Sequence, residues 1–185
     1  METTKWMIDS NHSEIGFKVK HMMFTNVSGH FREFEAEAET EDHFLQDGQF
    51  KFRGKVSSLN TGNPDRDAHL LGTDFFDAEK YPEFTYESTS YTKDGDGDFV
   101  LKGILTLKGI SRPISLRAEF HGSAQDPWGN EKAGFGLVGS LNRKDWGLNW
   151  NTALETGGVL VGEEVKLIIE LQFIRVQEES YTSVL

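Results

Sequence analysis

Long stretches of this chain alternate apolar and polar residues one for one, and few folds accept such a pattern. Ile15, Phe17 and Val19 alternate with Gly16, Lys18 and Lys20, and Phe50, Phe52, Gly54 and Val56 alternate with Lys51, Arg53 and Lys55. The same rhythm returns over residues 84–88, 99–107, 114–120, 133–141 and 165–173. Successive side chains of a strand point to opposite faces, so each run predicts a strand with one apolar and one wet face. Residues 27–38 read as a further long strand, with Gly29 where a bend would fit. Turn signals separate the runs at Asn11-His12, Gln46-Asp47-Gly48, Asp94-Gly95-Asp96-Gly97 and Asp126-Pro127-Trp128-Gly129. One helix is predicted over 65–72, with Asn63 as its cap and Pro64 at its first position. Residues 21–25 and 146–150 each read as a single helical turn.

About eight strands and one short helix make an all-β domain, either a sandwich or a closed barrel. Glycines 16, 29, 54, 103 and 139 all fall inside strands. Each weakens its strand, so together they point to curvature or to an interior packed close to the backbone. Closure also removes exposed strand edges, which favours the barrel. Ten phenylalanines (17, 31, 34, 50, 52, 84, 99, 120, 135 and 173) fall on positions that one interior could share. A barrel of eight strands either fills its middle with side chains or holds one apolar ligand, and both alternatives stay open here.

Composition excludes several classes. With 19 Lys plus Arg against 30 Asp plus Glu, the formal net charge is −11, and no basic cluster forms the cationic track that a general nucleic-acid binder needs. The absence of cysteine excludes disulfides, iron–sulfur clusters and thiolate zinc sites. No run is long and apolar enough for a membrane span, so no stable membrane insertion is expected. The first nine residues carry no signal-peptide core. The chain as written reads as cytoplasmic, and as periplasmic had an export leader been removed.

Two polar blocks stand out. Arg66, Asp67 and His69 open the helix, where Arg66 could bind a carboxylate or phosphate, or lock the helix by pairing with an acid. Asn142, Arg143 and Asp145 lie beside Trp146 and Trp150, and an Arg143–Asp145 bond could brace the barrel mouth or meet an anionic head group. The six histidines form no close pair at metal-ligand spacing, so no metal is expected. His12-Ser13 lacks a third catalytic partner, and there is no G-x-S-x-G elbow. The Asp94–Asp98 run fails the calcium-loop spacing at Phe99. The glycosylation patterns at Asn11 and Asn26 lack a secretory context.

Several blocks together resemble a known family. Trp6-Met7-Ile8-Asp9, then His12 to Met22, then Val27-Ser28-Gly29-His30-Phe31 form the opening. Asn60-Thr61-Gly62-Asn63, Arg66-Asp67-Ala68-His69-Leu70, Asp74-Phe75-Phe76-Asp77 and Tyr81 to Tyr86 follow. Gly103 to Pro113, Asn142 to Trp150 and Gly162-Glu163-Glu164-Val165 complete the set. In order and spacing this chain resembles the YceI-like, polyisoprenoid-binding proteins from Trp6 to Phe173. It departs at Asn60, where the family often has Asp, at Trp146, where Phe is commoner, and in a heavier acidic run from Glu33 to Asp42.

The resemblance implies a lipocalin-like extended eight-stranded antiparallel β-barrel with a short helical insertion. One domain over residues 1–175 and a C-terminal tail over 176–185 are expected. It further implies non-enzymatic binding, storage or transport of a long-tailed amphiphile such as an isoprenoid, a prenyl quinone or a fatty amide-like lipid. No cofactor and no catalytic residue are expected, and a homodimer is. A small-molecule enzyme acting on an apolar substrate, or a stress-associated barrel without a persistent ligand, is the alternative. The expected tail-lining residues are Phe17, Phe31, Phe52, Phe84, Phe135 and Trp150. Arg66, Asp67, His69, Asn142 and Arg143 are the expected head-group contacts.

Overall fold

The computed structural model describes residues 3–41 and 48–177. These residues contain eleven strands: β1 (Thr4–Ile8), β2 (Glu14–His21), β3 (Thr25–Phe31), β4 (Phe34–Thr40), β5 (Gln49–Lys55), β6 (Leu59–Asn60), β7 (Glu83–Lys93), β8 (Phe99–Leu107), β9 (Ile110–Gln125), β10 (Glu131–Asn142) and β11 (Val161–Arg175). One helix, α1 (Pro64–Leu71), lies between β6 and β7. Every pairing between these strands is antiparallel.

Three strand lines are broken. β1 and β2 lie along the same edge of β11, with Ile8 opposite Phe173 and Glu14 opposite Glu170, and a 3₁₀ turn at Ser10–His12 between them. β3 gives way to β4 at Arg32 and Glu33, and β5 to β6 at the Val56–Ser58 turn. The pairings β2–β3 and β1–β4 carry one ladder across the first two breaks, and β3–β6 with β4–β5 carry the next. Eight lines result. The ring β1–β4–β5–β7–β8–β9–β10–β11 closes through β1–β11, and β2, β3 and β6 extend it outward at one end. The fold is a closed eight-stranded antiparallel barrel with added outer strands and one short helical insertion.

The break at Arg32 and Glu33 replaces the single strand expected over 27–38, and side-chain parity explains it. Phe31 and Phe34 are both buried, yet an unbroken strand would send residues three apart to opposite faces. Gly29 is not the bend. The ring of Phe17 occupies the space that a Cβ on Gly29 would take, as Phe84 does at Gly54 and Tyr86 at Gly103. Residues 21–25 are the end of the β2–β3 hairpin rather than a helical turn, because Met22 and Met23 have φ of 49° and 64°. The turn expected at 146–150 instead lies at Arg143–Trp146. Thr4–Ile8 adds a strand too short for alternation to reveal. The Gln46-Asp47 part of one expected turn, Asp42 of the acidic run, and residues 178–185 of the tail lie outside the described residues.

Helix α1 starts where the sequence predicts. The Asn63 side chain accepts the Arg66 N–H at 3.1 Å, Pro64 occupies the first turn, and Asp65 and Asp67 complement the dipole there. On β4 the acidic run is a wet face. Glu35, Glu37 and Glu39 point outward between Phe34, Ala36, Ala38 and Thr40, and Glu35 meets Arg53 of β5 at 2.6 Å.

Candidate functional site

The inward residues do not fill the barrel. Two aromatic groups pack inside it, one with Phe31 and Phe84 at 4.6 Å between ring centres, the other around Phe135, 5.2 Å from Phe120 and 6.2 Å from Phe50. Between and beside them lies a cavity of about 200 Å³. Phe17, Phe31, Phe52, Phe84 and Phe135 all line it. The aliphatic part of the wall comes from β2, β8, β9, β10 and β11, including Ile15, Leu101, Leu116, Leu137, Leu167 and Ile169. The cavity exceeds the ~150 Å³ that suffices for an apolar pocket to stay dry and admit a benzene ring.

The helical insertion covers one end. Leu70, Phe75 and Phe76 line the cavity there, and Leu148 and Val161 also belong to its wall. Trp150 is not in the lining. It packs behind Phe75 at 5.3 Å and against the His69 ring at 4.8 Å, and His69 Nε2 lies 2.9 Å from Asp74. This ring cluster ties α1 to the segment between β10 and β11. No periodicity marks Phe75, Phe76 or Leu148, so alternation alone does not find them. The aliphatic positions of β8, β10 and β11 are given by the same alternation that marks the phenylalanines.

The polar candidates separate. The Arg66 guanidinium donates to the Thr61 hydroxyl at 2.8 Å and the Thr61 carbonyl at 2.7 Å, while Asp67 accepts the Thr61 N–H at 2.9 Å. Together they clamp the start of α1 to the end of β6, and neither lines the cavity. Asn60 folds its side chain onto the Gly62 N–H at 3.1 Å. Asn142 caps the following 3₁₀ turn by accepting the Lys144 N–H at 3.0 Å.

Arg143 alone of the polar candidates reaches the cavity wall. It is 3% exposed, and its guanidinium donates to four main-chain carbonyls, those of Leu148, Trp150, Val161 and Gly162. No bond to Asp145 forms. Burial pushes the Arg143 pKa down, and the nearby charge of Glu163 partly offsets this. Trp146, also buried, donates its indole N–H to the Leu105 carbonyl at 3.0 Å and so fastens the turn to β8. Tyr86 and Tyr91 also line the cavity, and their buried hydroxyls have no hydrogen-bond partner among the described residues.

Among the described residues, no group of three or more His, Asp or Glu is placed to hold a metal ion. A family profile described as the YceI-like domain matches residues 6–173, nearly the whole barrel. The chain belongs to the YceI-like family. A UPF0312 protein of Staphylococcus epidermidis is 36% identical over 171 residues, covering 92% of this chain and 97% of that one. The crystal structure of the Campylobacter jejuni YceI protein is similar at 33% identity and a TM-score of 0.72, covering 92% of this chain and 97% of that chain. A polyisoprenoid-binding domain from Saccharophagus degradans shares the YceI-like fold at 13% identity and a TM-score of 0.65, covering 92% and 98%.

Proposed function

We propose that this YceI-like barrel binds the long apolar tail of an amphiphilic lipid without transforming it. The internal cavity carries the reading, because its wall is apolar except for Arg143, Lys51 and the hydroxyls of Tyr86 and Tyr91, and Arg143 is already bonded to main chain. Such a wall offers a hydrocarbon tail transfer out of water, at about 0.8 kcal/mol for each buried methylene, and offers a reacting group nothing comparable. Ordering the tail and desolvating the head group offset much of that gain. Support for an isoprenoid tail comes from the name of the fold neighbour in Saccharophagus degradans. Prenyl quinones and fatty amides present the same kind of tail. The head group rests at the rim near α1, where His69 is exposed beside Trp150.

Native mass spectrometry of the gently purified protein, followed by lipid extraction, is the direct test. A bound mass that disappears on denaturing extraction is expected. Ala36, a small residue of the lining, supplies the control, because Ala36→Phe places a ring in the cavity. That variant is expected to lose the bound mass while keeping its β-sheet circular dichroism. Repeated absence of any lipid, with no uptake of added polyprenyl, prenyl quinone or fatty amide compounds, overturns the reading.

A further inference from the structure

The end of the β2–β3 hairpin spends backbone conformation on exposed apolar side chains. Met22 and Met23 both have positive φ, and the Phe24 N–H bonds the His21 carbonyl at 3.2 Å, the pattern of a type I′ turn. Asn-Gly fills those two positions at least strain. Here two methionines occupy them, with Met23 61% and Phe24 80% exposed. Val159, also exposed, follows Gly158, on which the Met23 sulfur rests. Met22 is bonded through its N–H to the Leu160 carbonyl at 2.8 Å. The tip therefore stands at the cavity rim, since Val19 and Val161, just inside it, line the cavity.

Behind the tip three lysines face outward together. Lys18 and Lys20 point outward from β2, and Lys166 of β11 sits directly opposite Lys18. Like charges placed opposite one another destabilise a sheet. None of the three lysines has an ion-pair partner among the described residues. The nearby acids are Glu163, which Lys144 engages at 2.7 Å, and Glu164 and Glu155, both exposed. A three-residue point is far smaller than the roughly 1,000 Å² that a specific protein interface needs. It suits insertion among lipid head groups, with lysines behind it to meet their negative charge.

We propose that the Met22–Met23–Phe24 tip and the Lys18, Lys20 and Lys166 collar dock the mouth of the barrel on an anionic lipid surface. The proposal rests on the lipid-binding reading of the cavity, for which it provides an entry route that keeps the tail out of water.

Flotation with vesicles of phosphatidylcholine alone, and with phosphatidylglycerol mixed in, tests the docking without any cavity ligand. An empty cavity therefore leaves this result unaffected, and the two readings fail separately. The wild-type protein is expected to float with the anionic vesicles and to be released by salt. Each Lys→Gln change in the collar is expected to weaken that binding roughly fivefold. Met22→Asn combined with Met23→Gly gives the turn its preferred residues, so the variant folds at least as well. It and Phe24→Ser are each expected to bind anionic vesicles roughly tenfold more weakly, while retaining lipid uptake in vesicle-free solution. Wild-type protein that ignores anionic vesicles at low salt overturns the proposal. So do tip variants that bind as the wild type does, or tip variants that change only the oligomeric state in light scattering, which would assign the tip to a second copy of the chain.

Discussion

Arg143 brings a positive charge into the barrel wall, and main-chain carbonyls of Leu148 and Trp150 and of the first two residues of β11 surround it. Its planar fork reaches several carbonyls at once, which the ammonium of a lysine cannot reproduce. Arg143→Ala would leave those acceptors buried and unpaired, so we expect a loss of about 3–5 kcal/mol in denaturant unfolding. Arg143→Lys is expected to recover only part of it. The sequence placed Arg143 correctly in a polar block but pointed to Asp145 as its partner. Backbone acceptors leave no mark in side-chain identity. Tyr86 and Tyr91 present the opposite case, with hydroxyls that burial leaves without a described partner. Burial pushes Tyr91 up to about 12 and Tyr86 further, so neither ionises at ordinary pH. Tyr91→Phe keeps the ring stacked on Phe99 and removes an unpaired group. We expect thermal unfolding to show unchanged stability or a gain of about 1 kcal/mol.

At the scale of elements, the breaks in the strand lines are pinned by polar side chains. Asp9, between β1 and β2, is 10% exposed at its side chain and accepts from His12 at 2.9 Å and from Lys132 and Gln172 at 3.1 Å each. Burial raises its pKa, but the bonds and charges of His12 and Lys132 outweigh this, and the net shift is downward. A carboxylate held below its unfolded value, near 4, stabilises the fold fully above that pH and loses its contribution as pH falls through the folded value. Asp9→Asn is therefore expected to cost about 1–2 kcal/mol at neutral pH. The gap from wild type should close as pH drops below about 4, measured by urea unfolding across pH. Alternation made most strands legible because one face is wet along their length. It missed Thr4–Ile8, whose five residues are too few, and it merged β3 with β4, because parity errors appear only once the interior is known. The site followed the same rule. Five of six expected lining residues lie on strands and line the cavity, whereas Trp150 lies in the irregular segment before β11 and packs behind Phe75.

For the whole molecule, the seam that closes the barrel runs along β11 as β2 and then β1, and its β1 part is short. Trp6, Met7 and Ile8 pair with Arg175, Ile174 and Phe173, and no longer pairing joins β1 to β11. Trp6 is buried and donates its indole N–H to Thr40 at 3.2 Å, which ties β1 to β4 on its other side. Trp6→Ala is expected to cost about 3–5 kcal/mol. Hydrogen exchange should then accelerate in β1, in β4 and at the C-terminal end of β11 together, because opening the seam frees edges in all three. Exchange confined to β1 would mean that the ring does not depend on this pairing. Barrel and sandwich could not be told apart from alternation, since both give inward and outward faces and differ in whether the first and last lines meet.

β11 is hydrogen-bonded along both edges, to β10 on one side and to β2 and β1 on the other. Among the described strands it is also the one that leaves a ribosome last. Until it emerges, the lines at both open ends of the growing sheet expose unpaired backbone, the kind of template that captures other chains. Long-range pairing of this order is slow to form. The barrel can thus be completed only after residues 161–175 have been synthesised, and a nascent chain cut short before Val161 has no seam to close.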